Sequence, residues 1–203
     1  IGLFEQAGYD LEVEDYHFTI LLGNPEKPMP QLNKGYSGDG GIPGYLMLSL
    51  LPNDYTLPRV QAALAHECNH NVRFQFIKWN QQTTLADWVV SEGLAESFAA
   101  ELYGKDLIGP WVTSTSLEQL EEIKPIISSQ LQLTGMAEMA PYLYGDEIAK
   151  IQGQIPVGMP YAAGYAYGYH LIQAYLKKTG KSIIEATVTP TEEILETTKD
   201  FWK

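Results

Sequence analysis

The chain has 203 residues, the size of one large domain, and its 45% hydrophobic and 19% charged residues can bury a core, which excludes a disordered tail. Thirteen Lys plus Arg against twenty-five Asp plus Glu leave a net charge of -12. A surface that negative repels phosphate backbones and anionic lipid head groups, so nucleic acid and membrane surfaces are poor partners.

Residues 1–15 scatter acids among apolar residues, and Tyr16–Leu22 then reads as a β-strand rich in aromatic and branched side chains, with His17 as a structural residue inside it. From Asn24 to Gly44 the prolines Pro25, Pro28, Pro30 and Pro43 and five glycines predict a long loop or a loose hairpin, a composition that suits a lid. Tyr45–Leu51 is a second strand, ended by Pro52-Asn53-Asp54. The longest apolar run, Ile42 to Leu51, falls far short of the roughly 20 residues that span a bilayer. The start at Ile1 lacks the charged-then-apolar form of a signal peptide, and the lone Cys68 makes no internal disulfide. The expected compartment is therefore the cytoplasm.

A helical pattern begins at Thr56, with Pro58 in its first turn, and runs through Val60, Ala63 and Leu64 to Phe74 and Ile77. A second helix covers about Leu85 to Leu102 and stops at Gly104. Between Lys105 and Pro160 the pattern weakens. It predicts a helix near Leu117–Ile123, Pro125 as a breaker, and another helix near Pro125–Leu131. A last helix spans about Ala162 to Thr179, closed by Lys177, Lys178 and Gly180. The expected fold class is α+β. A small, partly antiparallel N-terminal sheet with a helix beneath it occupies about 1–80, and a mainly helical part about 81–203, within a single domain.

The third segment carries His66-Glu67-Cys68-Asn69-His70, a His-Glu-x-x-His pattern. Residues four apart on a helix share a face, so both imidazoles can reach one metal ion, and Glu67 lies where it can take a proton from a water that the metal activates. Zinc suits these ligands. The helix that follows supplies Glu92, twenty-two positions after His70, with Glu96 one turn further on. Two imidazoles and one carboxylate leave a fourth position open, the arrangement of a catalytic zinc site, whereas a closed structural site needs several cysteines. Glu96 can accept the outer N–H of a ligand histidine. Gly93, a poor helix former, fits if another backbone or a substrate comes close there. The competing reading makes Glu92, Glu96 and Glu101 the solvated side of an amphipathic helix.

From about Gly40 to Leu195 the chain resembles the gluzincin metallopeptidases and, within them, the bacterial family of predicted zinc-dependent proteases of the YjaZ type. The residues that carry the resemblance are Leu64-Ala65-His66-Glu67-Cys68-Asn69-His70, Ser91-Glu92-Gly93-Leu94-Ala95-Glu96 and the Tyr/Gly-rich last helix. It implies a zincin-like fold, one Zn2+ held by His66, His70 and Glu92, Glu67 as base and proton shuttle, and Glu96 as the acid behind a ligand histidine. Tyr165-Ala166-Tyr167-Gly168 looks like the segment in which a tyrosine of the larger gluzincin aminopeptidases stabilises the oxyanion; Tyr165 is the expected donor and His170 the reserve. Those aminopeptidases carry a Gly-x-Met-Glu-Asn segment that holds the substrate amino terminus. Here the matching stretch reads Gly40-Gly41-Ile42-Pro43-Gly44-Tyr45, so an internal bond of a peptide or unfolded protein is the expected target.

The resemblance further implies that the substrate lies along an edge formed by Tyr45–Leu50. Cys68 is expected to pack rather than react. Two alternatives differ in class: a catalytically weak zincin-fold domain that binds a peptide or protein, and a metal-dependent hydrolase of a non-peptide amide.

Overall fold

The computed structural model describes residues 1–27 and 31–202. Pro28 and Pro30 of the proline-rich stretch lie outside the described residues. The elements are α1 (Gly2–Gln6), β1 (His17–Leu22), β2 (Tyr36–Asp39), β3 (Tyr45–Leu50), α2 (Val60–Phe76), α3 (Leu85–Tyr103), α4 (Pro110–Thr113), α5 (Leu117–Ser128), α6 (Met136–Tyr144), α7 (Asp146–Ile151), α8 (Ala163–Thr179), α9 (Ile183–Thr187), α10 (Thr191–Thr197) and α11 (Lys199–Trp202). The class is α+β, with one small sheet and helices through most of the remainder. Among the described residues no helix is long and apolar enough to cross a membrane.

The chain forms two compact units, one of Ile1–Lys78, Ala95–Pro110 and Ile183–Val188, the other of Trp79–Leu94, Trp111–Ser182 and Thr189–Lys203. In the first, the sheet has the order β1-β3-β2, with β1 parallel and β2 antiparallel to β3. Leu46, Leu48 and Leu50 are buried while Tyr45 and Met47 are exposed, the period-two alternation of a sheet with one face on a core. The helix packed against β3 and β2 is α2, entered through a 3-10 turn at Leu57–Arg59 that contains Pro58.

The expectation that Tyr45–Leu50 offers an edge is corrected here. Both hydrogen-bonding sides of β3 are used, by β1 and by β2, so β3 is the central strand and β1 and β2 are the two edges. Tyr36-Ser37-Gly38-Asp39 reads as loop because Gly and Asp are poor strand formers; its pairing with β3 makes it a strand.

Buried polar side chains tie α2 to its surroundings. The Asn71 amide donates to the carbonyls of Gly40, Ile42 and Tyr45 at 2.9, 3.0 and 2.8 Å and accepts from the Gly44 amide at 2.6 Å, which pins the turn between β2 and β3 to the helix. Asn69 donates to the Thr187 hydroxyl at 2.8 Å and Arg73 to the Thr187 carbonyl at 2.7 Å. Hydrogen bonds of this kind make buried polar side chains tolerable inside a protein, and removing one partner costs about 1–3 kcal/mol.

In the second unit, Gly93 of α3 and Gly168 of α8 mark a close helix crossing. A Cβ on Gly93 would overlap the Gly168 carbonyl, and one on Gly168 would overlap the Val89 carbonyl. The close neighbour expected at Gly93 is thus the backbone of α8. Ile172, which also meets Gly93 at the crossing, is fully buried.

One prediction fails in this unit. Pro125 does not break the chain into two helices, and α5 runs through it from Leu117 to Ser128. A Ser116/Gln119 capping box starts the helix, and Leu120, Ile123 and Ile127 form a buried stripe on both sides of the proline. An interior proline costs about 3 kcal/mol. Burial of Ile123 and Ile127, worth about 1.5–3 kcal/mol each, offsets it. Helix α8 ends as expected, with Lys177 and Lys178 in its final turn and Gly180 left-handed at φ 69°, but it is not the last, since α9, α10 and α11 follow it.

Candidate metal centre

Helix α2 sets His66 and His70 one turn apart, both buried, with their Nε2 atoms 3.2 Å from each other and their rings near perpendicular. His70 also stacks on Phe74, with ring centroids 5.7 Å apart. The Nδ1 of His66 lies 2.8 Å from Glu96 Oε2, and Glu96 Oε1 accepts the Gly109 amide at 2.6 Å. A carboxylate only accepts, so this contact puts the His66 proton on Nδ1 and a lone pair on Nε2, the nitrogen that faces His70.

Glu92 stands one turn before Glu96 on α3, and one ligand atom each from His66, His70 and Glu92 lie within 4.8 Å of one another, all three residues buried. Glu92 and Glu96 are 7% and 2% exposed, which overturns the competing reading of a solvated helix side for these two, while Glu101 is exposed as that reading has it. Two imidazole nitrogens and a carboxylate oxygen, one imidazole already fixed in the ligand tautomer, fit zinc well.

Glu67, on the same turn as His66, is also buried, and Gly38 and Gly40 come close to it. A Cβ on Gly40, just past β2, would overlap the Glu67 backbone carbonyl, so the chain can lie this close to α2 only with glycine there, and one on Gly38 would overlap the Glu67 carboxylate, which would have to move. The Leu51 amide donates to Gly35 O at 2.7 Å. Ladder bonds in an antiparallel pair fall on alternate residues, so Ser37 and Asp39 bond to β3 while Gly38 turns its N–H and C=O away from it.

Tyr165 on α8 is half-buried, its ring 6.1 Å from Tyr144 and 6.3 Å from Trp111. Tyr144 meets Trp88 edge-on at 5.7 Å, and the Trp88 indole donates to Glu92 Oε1 at 3.1 Å. A row of rings therefore links Tyr165 to the indole that holds Glu92. His170 stands five residues on, about 140° around the helix, against Tyr169 and outside that row. Burial first, and the Lys124 ammonium second, hold its pKa below the ordinary histidine value. Burial pushes the Cys68 thiol up, which keeps it protonated at neutral pH. His17 is exposed on β1 and stacks on Tyr45 at 5.2 Å.

Sequence reasoning passes over Gly38, Gly40, Asn71, Trp88 and Gly109. Trp88, one turn before Glu92 on the same predicted helix, has a spacing that could have found it. The others contribute through backbone approach or through contacts distant in sequence, for which the sequence holds no local signal.

The fold class is α+β, and His66, His70 and Glu92 form a cluster that could hold a metal ion. The chain belongs to the family described as predicted Zn-dependent protease (DUF2268), whose model matches residues 2–196. It is 41% identical over 184 residues to the uncharacterized protein YjfC of Bacillus subtilis (strain 168), covering 90% of this chain and 61% of YjfC. To the uncharacterized protein YjaZ of the same organism it is 26% identical over 154 residues, covering 74% of this chain and 55% of YjaZ. It therefore spans under two thirds of the length of either relative. No solved structure gives a significant match.

Proposed function

We propose that the chain is a zinc endopeptidase of gluzincin type, zincin-like in fold, acting on peptides or unfolded proteins, with residues 1–203 working as one catalytic domain. The observation that carries this reading is the gathering of His66, His70 and Glu92 ligand atoms within 4.8 Å, with Glu67 beside them on α2. The family description points the same way.

In this reading the three side chains would hold one zinc ion, which when bound would supply Lewis acidity and lower the pKa of a water toward neutral. Glu96 keeps His66 in the tautomer whose Nε2 can ligate. Glu67 accepts the proton of the attacking water and returns it to the leaving nitrogen. The outer edge of β2 receives the substrate as an added strand, bonded to the outward N–H and C=O of Gly38, which sets a peptide carbonyl beside Glu67. Tyr165 donates its hydroxyl to the developing oxyanion, a contact whose loss typically costs about 10²- to 10³-fold in rate. His170, on another face of α8, is the reserve donor.

Elemental analysis of protein purified without added metal should find zinc in the wild type and none in His66→Ala. Glu67→Gln should keep the zinc and lose hydrolysis of casein or unstructured peptides. A wild type that binds no zinc refutes the site, and one that binds zinc tightly yet cuts nothing in a peptide library makes this a peptide-binding domain instead.

A further inference from the structure

The metal-site reading gives no role to the contact between Trp88 and Glu92. The Trp88 indole N–H donates to Glu92 Oε1 at 3.1 Å from one turn earlier on α3, and both side chains are buried. Indole N–H is a donor only, and a hydrogen bond to an ionised acceptor is about twice as strong as a neutral one. The ring is itself held, with Trp79 and Tyr144 each meeting it edge-on at 5.7 Å. Trp88 therefore cannot swing aside without disrupting two aromatic contacts. By comparison, the indole of Trp202 donates to a backbone carbonyl, that of Leu195, at 3.0 Å.

A carboxylate near a cation can bind through one oxygen or through both, and which it does sets the coordination number. Fixing one oxygen on a rigid donor decides the matter. We propose that Trp88 is a positioning residue that engages Glu92 Oε1 and restricts Glu92 to binding the metal through its other oxygen. This rests on the reading of His66, His70 and Glu92 as the metal site, and it concerns how that site is tuned.

Trp88→Phe keeps an aromatic ring and removes the N–H. Zinc affinity, measured by competition with a chromophoric chelator, should fall about 10- to 100-fold, the usual effect of losing a partner behind a metal ligand. In the cobalt-substituted protein the visible d–d bands should weaken, because a released carboxylate that binds through both oxygens raises the coordination number. Trp79→Phe loosens the same aromatic cluster without touching the indole N–H of Trp88, and should leave both readouts at the wild-type level. The proposal is overturned if Trp88→Phe matches the wild type in both, or if Trp79→Phe lowers affinity as much.

Should Trp88→Phe fail to fold, the wild type decides the question. The Trp88 indole N–H cross-peak, one of four in the spectrum, should exchange slowly with solvent and shift on zinc titration. A fast-exchanging, unshifted peak overturns the proposal. If the wild type binds neither zinc nor cobalt, the metal-site reading itself has failed. If it binds both and only the Trp88 effects are missing, the failure belongs to Trp88 alone.

Discussion

Replacing Gly93 with alanine sets two effects of opposite sign against each other. On an isolated helix, alanine is better than glycine by about 1 kcal/mol, so local propensity predicts that Gly93→Ala stabilises α3. The crossing with α8 predicts the reverse. The new Cβ would sit under 3.0 Å from the carbonyl of Gly168 and 2.9 Å from Ile172 Cγ1, where ordinary contact begins at 3.4 Å. The nearest obstacle is backbone, which no rotamer change can move, so the two helices must separate by about an ångström. Overpacking of a filled core costs about 1–3 kcal/mol and occasionally more, and a rigid crossing belongs at the upper end. The net expectation is a loss of about 2 kcal/mol, seen as a melting temperature lower by about 4–8 °C for a chain of this length.

Urea and thermal denaturation of the metal-free protein would measure the loss. Gly168→Ala, which meets the Val89 carbonyl across the same crossing, should cost a similar amount, and the double variant should cost less than the sum because the first separation relieves the second clash. Glu92 adjoins Gly93, and a displacement of an ångström typically costs about 10²-fold in rate, so activity should fall further than stability explains. A Gly93→Ala protein more stable than wild type would refute the close crossing.

Two further outcomes follow from the same geometry. Gly38→Ala places a methyl group on the Glu67 carboxylate, and it should leave zinc content unchanged while abolishing casein hydrolysis; retained hydrolysis would remove β2 from the site. His170, held below its ordinary value by burial and Lys124, binds its proton more readily in the unfolded chain, so its contribution to stability is full above about pH 6.5 and is lost as pH falls from there toward its folded-state value. His170→Gln should therefore lose less stability than wild type between pH 7.5 and 5.5 in urea titrations, and equal losses would contradict the assignment.

The His-Glu-x-x-His spacing, the helix that follows it and the aromatic strands were legible because each is written in consecutive residues with a helical or strand period. The same local logic located Gly180 and the two lysines that close α8. It failed at Pro125, where propensity gave way to a buried stripe, and at Tyr36–Asp39, where a strand of poor strand formers exists because β3 pairs with it. The short helices α6, α7, α9, α10 and α11 span at most nine residues each, too few for a period to emerge.

By itself, then, the order of residues determined that His66 and His70 stand together, since a histidine pair one turn apart shares a face in any α-helix. Only the tertiary structure decided which partner each one meets. Glu96 on His66 and the bare backbone of Gly38 on Glu67 are meetings set by the packing of whole elements. Packing depends on what fills the space between elements, and no local spacing records it.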